Sequence, residues 1–216
     1  MKDSKMKLSG LYVITDEKLT PYENDEILEK VEKALKGGAK IVQLRDKSHS
    51  DEFLLPYAKA LKKLCEKYGA IFIVNDRVSL TLSANADGVH LGKEDPFIGE
   101  VRKILKDKII GVSCYGDIRR AKEMEFLGAS YVAFGSFFPS PTKPESEIID
   151  KEILLSAKKV LKIPICAIGG ITLDKAEELI KLSADMVAIV SDIWKAEDIE
   201  KRAKKYREIF KKYGKD

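Results

Sequence analysis

Short apolar runs rich in β-branched residues recur along the chain. They fall at Gly10–Thr15, Lys40–Leu44, Ile71–Val74, Gly88–Leu91, Ile109–Val112, Tyr131–Phe134, Ile165–Ile168 and Met186–Val190. None alternates cleanly between polar and apolar positions, the mark of parallel strands covered on both faces. Between them the apolar residues take helical spacing. Ile27, Leu28, Val31, Ala34 and Leu35 make one stripe, and Gly37-Gly38 follows as a stop signal. The same reasoning predicts helices over Leu54–Tyr68, Val78–Ala84, Gly99–Leu105, Ile118–Leu127, Lys151–Val160, Lys175–Leu182 and Ala196–Tyr213, Val78–Ala84 being short. Pro56 is placed in the first turn of its helix, and Gly69 after the end.

Eight strand–helix pairs without a Gly/Ser-rich linker point to a parallel sheet with crossover helices. The pattern alone leaves a closed barrel and an open doubly wound sheet both open. Eight repeats of about 25 residues favour closure, although such barrels typically run to roughly 250 residues. The expected fold is therefore α/β, a single (β/α)8 TIM-barrel domain over residues 1–216. Its active site belongs just past the strand ends.

Composition narrows the function classes. With 44% hydrophobic and 34% charged residues the chain is not a disordered one. Lys+Arg at 39 against Asp+Glu at 35 leaves only +4, with both signs interspersed, so neither nucleic acid nor membrane is an expected partner. Cys65, Cys114 and Cys166 are scattered without CxxC spacing, which fits neither a disulfide framework nor a zinc site. Met1–Leu8 holds no hydrophobic segment, and no run nears the roughly 20 apolar residues of a membrane span. The expected location is the cytoplasm.

The strand ends carry the chemistry. After the second strand comes Gln43-Leu44-Arg45-Asp46-Lys47, and alternation puts Gln43, Arg45 and Lys47 on one side, the mouth. Two cations and an amide make an anion clamp; the competing reading is a solvated strand end. Asn75-Asp76-Arg77 and the Asp95-Pro96 pair could each begin a helix. Adjacent strands nevertheless bring Asp76 and Asp95 together, and close carboxylates call for a cation between them, magnesium being the natural one beside phosphate. His90 lacks a nucleophile motif and reads as a hydrogen-bonded structural histidine, His49 as an exposed loop residue. Ser113 is a candidate phosphate donor. The long loop Gly135–Pro144 offers Ser140, Thr142 and Lys143 to close over a ligand, anchored at Phe137-Phe138. Ile168-Gly169-Gly170-Ile171 and Ile189-Val190-Ser191 end the seventh and eighth strands, where such barrels commonly bind phosphate.

Together QLRDK, ND, GVHLGKED, GVS, PSPTK, IGGI and VS, in order from Leu11 to about Tyr206, resemble thiamine-phosphate synthase. The resemblance implies a transferase that condenses hydroxymethylpyrimidine diphosphate with a phosphorylated (carboxy)thiazole, releasing pyrophosphate and thiamine monophosphate. It implies that Gln43, Leu44, Arg45, Asp46, Lys47, Asn75, Ser113 and Lys143 hold the pyrimidine diphosphate. Ser140, Pro141, Thr142, Gly170, Val190 and Ser191 would receive the thiazole phosphate, and Asp76 and Asp95 would bind Mg2+. Arg45, Lys47 and Lys143 would stabilise charge on the leaving group. No protein nucleophile is needed. The partners are thus two small phosphorylated molecules, with a homo-oligomer left open.

Three positions depart from the family pattern: Lys93 stands where glutamine is common, Tyr115 where histidine is frequent, and Asp192 where a small residue is usual. An acid beside a bound phosphate is unfavourable, so Asp192 is expected to point away. Rival readings are a thiazole tautomerase of the same barrel group, a non-catalytic thiamine-phosphate-binding protein, and another phosphate-binding barrel. The paired Asp76 and Asp95 with Arg45, Lys47 and Lys143 argue against the first two. The third typically needs an acid–base pair that the sequence does not show.

Overall fold

The structure, a computed structural model, describes residues 6–216, so the expectation for Met1–Leu8 lies largely outside the described residues. Eight parallel strands, β1 (Gly10–Ile14), β2 (Ile41–Leu44), β3 (Ile71–Asn75), β4 (Gly88–Leu91), β5 (Ile109–Tyr115), β6 (Tyr131–Phe134), β7 (Ile165–Ile168) and β8 (Met186–Ile189), pair in chain order. β8 returns to β1, with Leu11 opposite Val187, and closes the barrel. The open-sheet alternative is thereby removed.

The helices form the outer ring: α1 (Glu26–Lys36), α2 (Asp51–Lys67), α3 (Val78–Ser83), α4 (Ile98–Leu105), α5 (Ile118–Phe126), α6 (Ile153–Val160), α7 (Leu173–Lys181), α8 (Ser191–Trp194) and α9 (Ile199–Lys212). Two short pieces escaped the periodicity, a 3-10 turn at Glu23–Asp25 and α8, each too brief to build an apolar stripe. Pro56 is the sixth residue of α2, not in its first turn. Ser50 caps the helix by accepting from the Phe53 amide, and the polar opening Asp51-Glu52 hid that start from hydrophobic spacing. Asp198 likewise caps α9 at Ile199, later than expected.

Alternation along the strands sorts side chains into two cores. Leu11, Val13, Val42, Leu44, Phe72 and Val74 point outward under the helices. Tyr12, Ile14, Ile41, Ile71, Ile73, Tyr131, Ala133, Cys166, Met186 and Ala188 fill the barrel. Two buried tyrosines in so narrow a space need room. Gly111 supplies it, since a Cβ there would run into the Tyr131 ring.

The end opposite the mouth is closed by carboxylates that accept from amides in the first residues of the strands. Asp87 accepts from Phe72 N at 2.8 Å and from Lys62 Nζ at 2.7 Å, and Asp185 repeats the device on Ile165 N at 2.9 Å. Asp87→Ala leaves a strand amide and a half-buried lysine without this partner. It is expected to cost about 2 kcal/mol, read as a lower denaturation midpoint with unchanged slope.

Candidate active site

A cavity of about 1550 Å³ opens at the carboxyl ends of the strands. A single-ligand site usually spans about 300–1,000 Å³, so there is room for two small molecules. Gln43, Arg45 and Lys47 all line it. Arg45 is fixed at its backbone, where its amide donates 3.0 Å to the buried Thr15 hydroxyl. Leu44 and Asp46 do not line the cavity. Leu44 belongs to the outer core, and the buried Asp46 carboxylate faces the other way, because strand alternation turns even positions out.

Asp46 locks the loop that carries Lys47. It accepts from Ser48 N (2.9 Å), His49 N (2.8 Å) and the Tyr22 hydroxyl (2.7 Å). Burial alone would raise its pKa, but these bonds outweigh it and hold the carboxyl below the usual range. Glu17, Asp46 and His49 gather their ligand atoms within 4.8 Å of one another. Glu17 spends its oxygens on Lys47 N and Ser48 Oγ, so this cluster is a loop brace. His49 is more than a loose loop residue, bonding Asp46 at 2.8 Å and stacking on Phe53 at 4.3 Å.

Asp76 and Asp95 cap no helix. α3 and α4 start beyond Arg77 and Phe97, with no side-chain cap at either. Asp76 sits in the left-handed region at φ 53°, its carboxylate bonded to the Lys47 ammonium and to Asn75 Nδ2. Asp95 lines the cavity and accepts from Gly92 N at 2.5 Å. Asp76 is not among the residues that line the cavity; it faces the site through Lys47, whereas Asp95 lines it directly. The two carboxylates offer the hard oxygen donors that suit Mg2+ beside phosphate oxygens.

Asn75, Ser113 and Lys143 also line the cavity. Partial desolvation at the mouth, reinforced by the charges of Arg45 and Lys47, pulls the exposed Lys143 below the ordinary lysine pKa. Three cations thus converge on one space. Of these three cations only Lys47 has a carboxylate within 4.0 Å among the described residues.

At the other end of the mouth Ser140, Pro141, Thr142, Gly170, Val190 and Ser191 line the same cavity. The loop from β6 is anchored at its base. Phe137 is buried, and Phe137 N and Phe138 N donate to Ile168 O (3.3 Å) and Gly169 O (3.1 Å). Gly170, at φ 62°, lies so close to the Phe138 and Pro139 carbonyls that no Cβ fits. Asp192 lies on the cavity rim, but its carboxylate is turned to α9, where Arg202 Nη1 (2.8 Å) and the Tyr206 hydroxyl (2.5 Å) neutralise it. Tyr115 bends over at φ 56°, and its hydroxyl accepts from Lys93 N at 3.1 Å, so two of the atypical positions support each other.

His90 is buried and structural, as its lack of a nucleophile motif implies. Nδ1 lies 2.8 Å from the Tyr131 hydroxyl, and Nε2 lies 2.8 Å from Ser113 Oγ. Burial pulls its pKa from 6.5 down to about 4. Sequence reasoning missed Tyr12 and Tyr131. The signal was a hydroxylated aromatic at an inward strand position, where only apolar groups were sought.

A family profile described as thiamine monophosphate synthase matches residues 11–193. The thiamine-phosphate synthase of Wolinella succinogenes is 49% identical over 191 residues, 88% of this chain and 87% of that protein. That of Thioalkalivibrio sulfidiphilus is 40% identical over 97% of this chain and 99% of its own. A solved thiamine phosphate pyrophosphorylase from Pyrococcus furiosus superposes with a TM-score of 0.86 at 38% identity, covering 94% of this chain and 96% of its own.

The buried imidazole makes stability depend on pH. The unfolded chain takes up this proton near pH 6.5, the folded chain only near pH 4. The contribution of neutral His90 is therefore whole above pH 6.5 and is lost as pH falls to 4, amounting to about 3 kcal/mol. Urea titrations at pH 7, 5.5 and 4.5 are expected to show a shallower pH slope in His90→Gln; equal slopes would refute the assignment.

Proposed function

Because the chain belongs to the thiamine monophosphate synthase family and is a transferase of thiamine biosynthesis, we propose that its mouth binds hydroxymethylpyrimidine diphosphate and a phosphorylated (carboxy)thiazole side by side and joins them. The observation that carries this is the convergence of Arg45, Lys47 and Lys143 on a two-ligand cavity. Mutual repulsion of three cations is relieved by a polyanion, and a diphosphate is the polyanion of the right size.

Heterolysis of the C–O bond gives its electron pair to the departing pyrophosphate and leaves a pyrimidine-methyl cation. Arg45, Lys47 and Lys143 stabilise the charge that grows on the leaving oxygens. The thiazole nitrogen then donates its lone pair to form the new C–N bond, and where the thiazole carries a carboxylate that group leaves as CO2, a proton taking its place on the ring. Ser140, Thr142, Gly170 and Ser191 hold the thiazole phosphate so that this nitrogen is already in place. Asp76 and Asp95 would hold Mg2+, whose contribution is further neutralisation of pyrophosphate. Asn75 keeps Asp76 oriented through its 3.3 Å bond. A thiazole tautomerase would have no use for the cation cluster.

The first test is pyrophosphate release with and without Mg2+. Magnesium-dependent release requiring both substrates, with thiamine monophosphate formed, is the expected result. Isomerisation of the thiazole alone would overturn it. Lys143→Ala and Arg45→Ala are expected to lower kcat by about 10²–10³. Asp76→Asn, which keeps the left-handed backbone that asparagine tolerates, is expected to abolish activation by magnesium while circular dichroism stays unchanged. Magnesium dependence surviving in that variant would remove Asp76 from the metal site.

A further inference from the structure

Five polar side chains make one unbroken chain of hydrogen bonds through the barrel interior. Gln43 Nε2 donates 2.7 Å to the Tyr12 hydroxyl, which lies 2.7 Å from the Tyr131 hydroxyl. Tyr131 reaches His90 Nδ1 at 2.8 Å, and His90 Nε2 reaches Ser113 Oγ at 2.8 Å. The chain draws on β2, β1, β6, β4 and β5 in turn. His90 and Tyr131 both sit beside Gly111 in the sheet register, and the missing side chain there leaves the gap through which they meet.

Counting hydrogens gives the chain a direction. Tyr12 already accepts from Gln43, and among the described residues its own hydrogen has one acceptor, Tyr131. The Tyr131 hydrogen then has one acceptor, His90 Nδ1, which must be bare. The single imidazole hydrogen is left on Nε2 and goes to Ser113 Oγ. With the Gln43 amide nitrogen on Tyr12, as the structure has it, the opposite sense would leave the Tyr12 hydrogen without an acceptor among the described residues. Ser113 Oγ is thus occupied as an acceptor, and its hydrogen is free. Ser113 lines the cavity, held by Arg120 Nε on its carbonyl at 2.9 Å, and the bulge that follows it re-aims the strand end.

We propose that Gln43, Tyr12, Tyr131 and His90 form a directional relay that fixes Ser113 as a hydrogen-bond donor into the mouth, toward an oxygen of the bound diphosphate. The ligand's identity rests on the function proposed above; the direction of the relay does not. Tyr12, Tyr131 and His90 are positioning residues. Reversed, the relay would present serine lone pairs to an anion and weaken its binding. In the forward sense each bond polarises the next, and the last hydrogen is made more acidic than that of an isolated serine.

The test has two parts. In protein labelled with 15N-histidine at pH 7.5, His90 is expected to show the Nε2–H tautomer with Nδ1 unprotonated. An Nδ1–H tautomer or an imidazolium would overturn the proposal, whatever the enzyme's substrate. The second part measures inorganic pyrophosphate binding with Mg2+ by calorimetry across wild type, Tyr131→Phe, Ser113→Ala and the double variant. Tyr131→Phe is expected to weaken binding roughly tenfold in the wild-type background and not at all beside Ser113→Ala. Equal losses in both backgrounds would assign Tyr131 to packing alone and overturn the relay. Because neither part needs turnover, a failure of the synthase reading shows separately, in the absence of thiamine monophosphate formation.

Discussion

A closed ring of eight strands gives every second side chain one destination, an interior too narrow for eight large residues at a level. Most of this molecule follows from how that space is divided. Isoleucines from β1, β2 and β3 fill one flank, and Tyr12 and Tyr131 cross the middle with their rings at 77° and 6.0 Å. Their hydroxyls cannot reach water, so they must bond inside. Gln43, His90 and Ser113 are the partners that make their burial tolerable. The polar interior and the binding mouth are therefore one construction, the upper end of the first being the floor of the second.

The same alternation separates two duties within a single run of residues. In Gln43–Lys47 the odd positions meet the cavity, while Leu44 packs outward and Asp46 ties down the turn. A carboxylate so near a cluster of cations would cancel it if it faced inward. Facing out, it stiffens the loop and leaves the positive charge intact. Asp192 is handled in the same way beside Ser191, its charge absorbed by Arg202 and Tyr206.

Hydrophobic spacing was enough to read all eight strands and the eight longer helices, because buried parallel strands are apolar on both faces. Closure was legible only as a count of repeats. That Gln43, Arg45 and Lys47 face the cavity was legible from alternation, whereas Leu44 and Asp46 entered through resemblance, and the pleat turns them from it. What stayed hidden depended on contacts between distant strands. Nothing local to Tyr12 or Tyr131 says that they meet, or that Gly111 is small so that His90 can join them. Likewise the left-handed backbone of Asp76 and the cap at Ser50 depend on single residues that carry no periodic signal.

Loop geometry has one more consequence. Ser140 and Thr142 bond each other at 2.9 Å, and Lys143 follows directly on the same stretch of backbone. Under the proposed assignment that one segment serves both ligands, the hydroxyls the thiazole phosphate and the lysine the diphosphate. Its root is stitched to Ile168 and Gly169, so it responds as a unit. Under that assignment any coupling carried by the segment is reciprocal, each ligand changing the affinity for the other by the same factor. Two sites that share a strap in this way would form a heterotropic pair, so that the affinity for either molecule depends on whether its reaction partner is already bound.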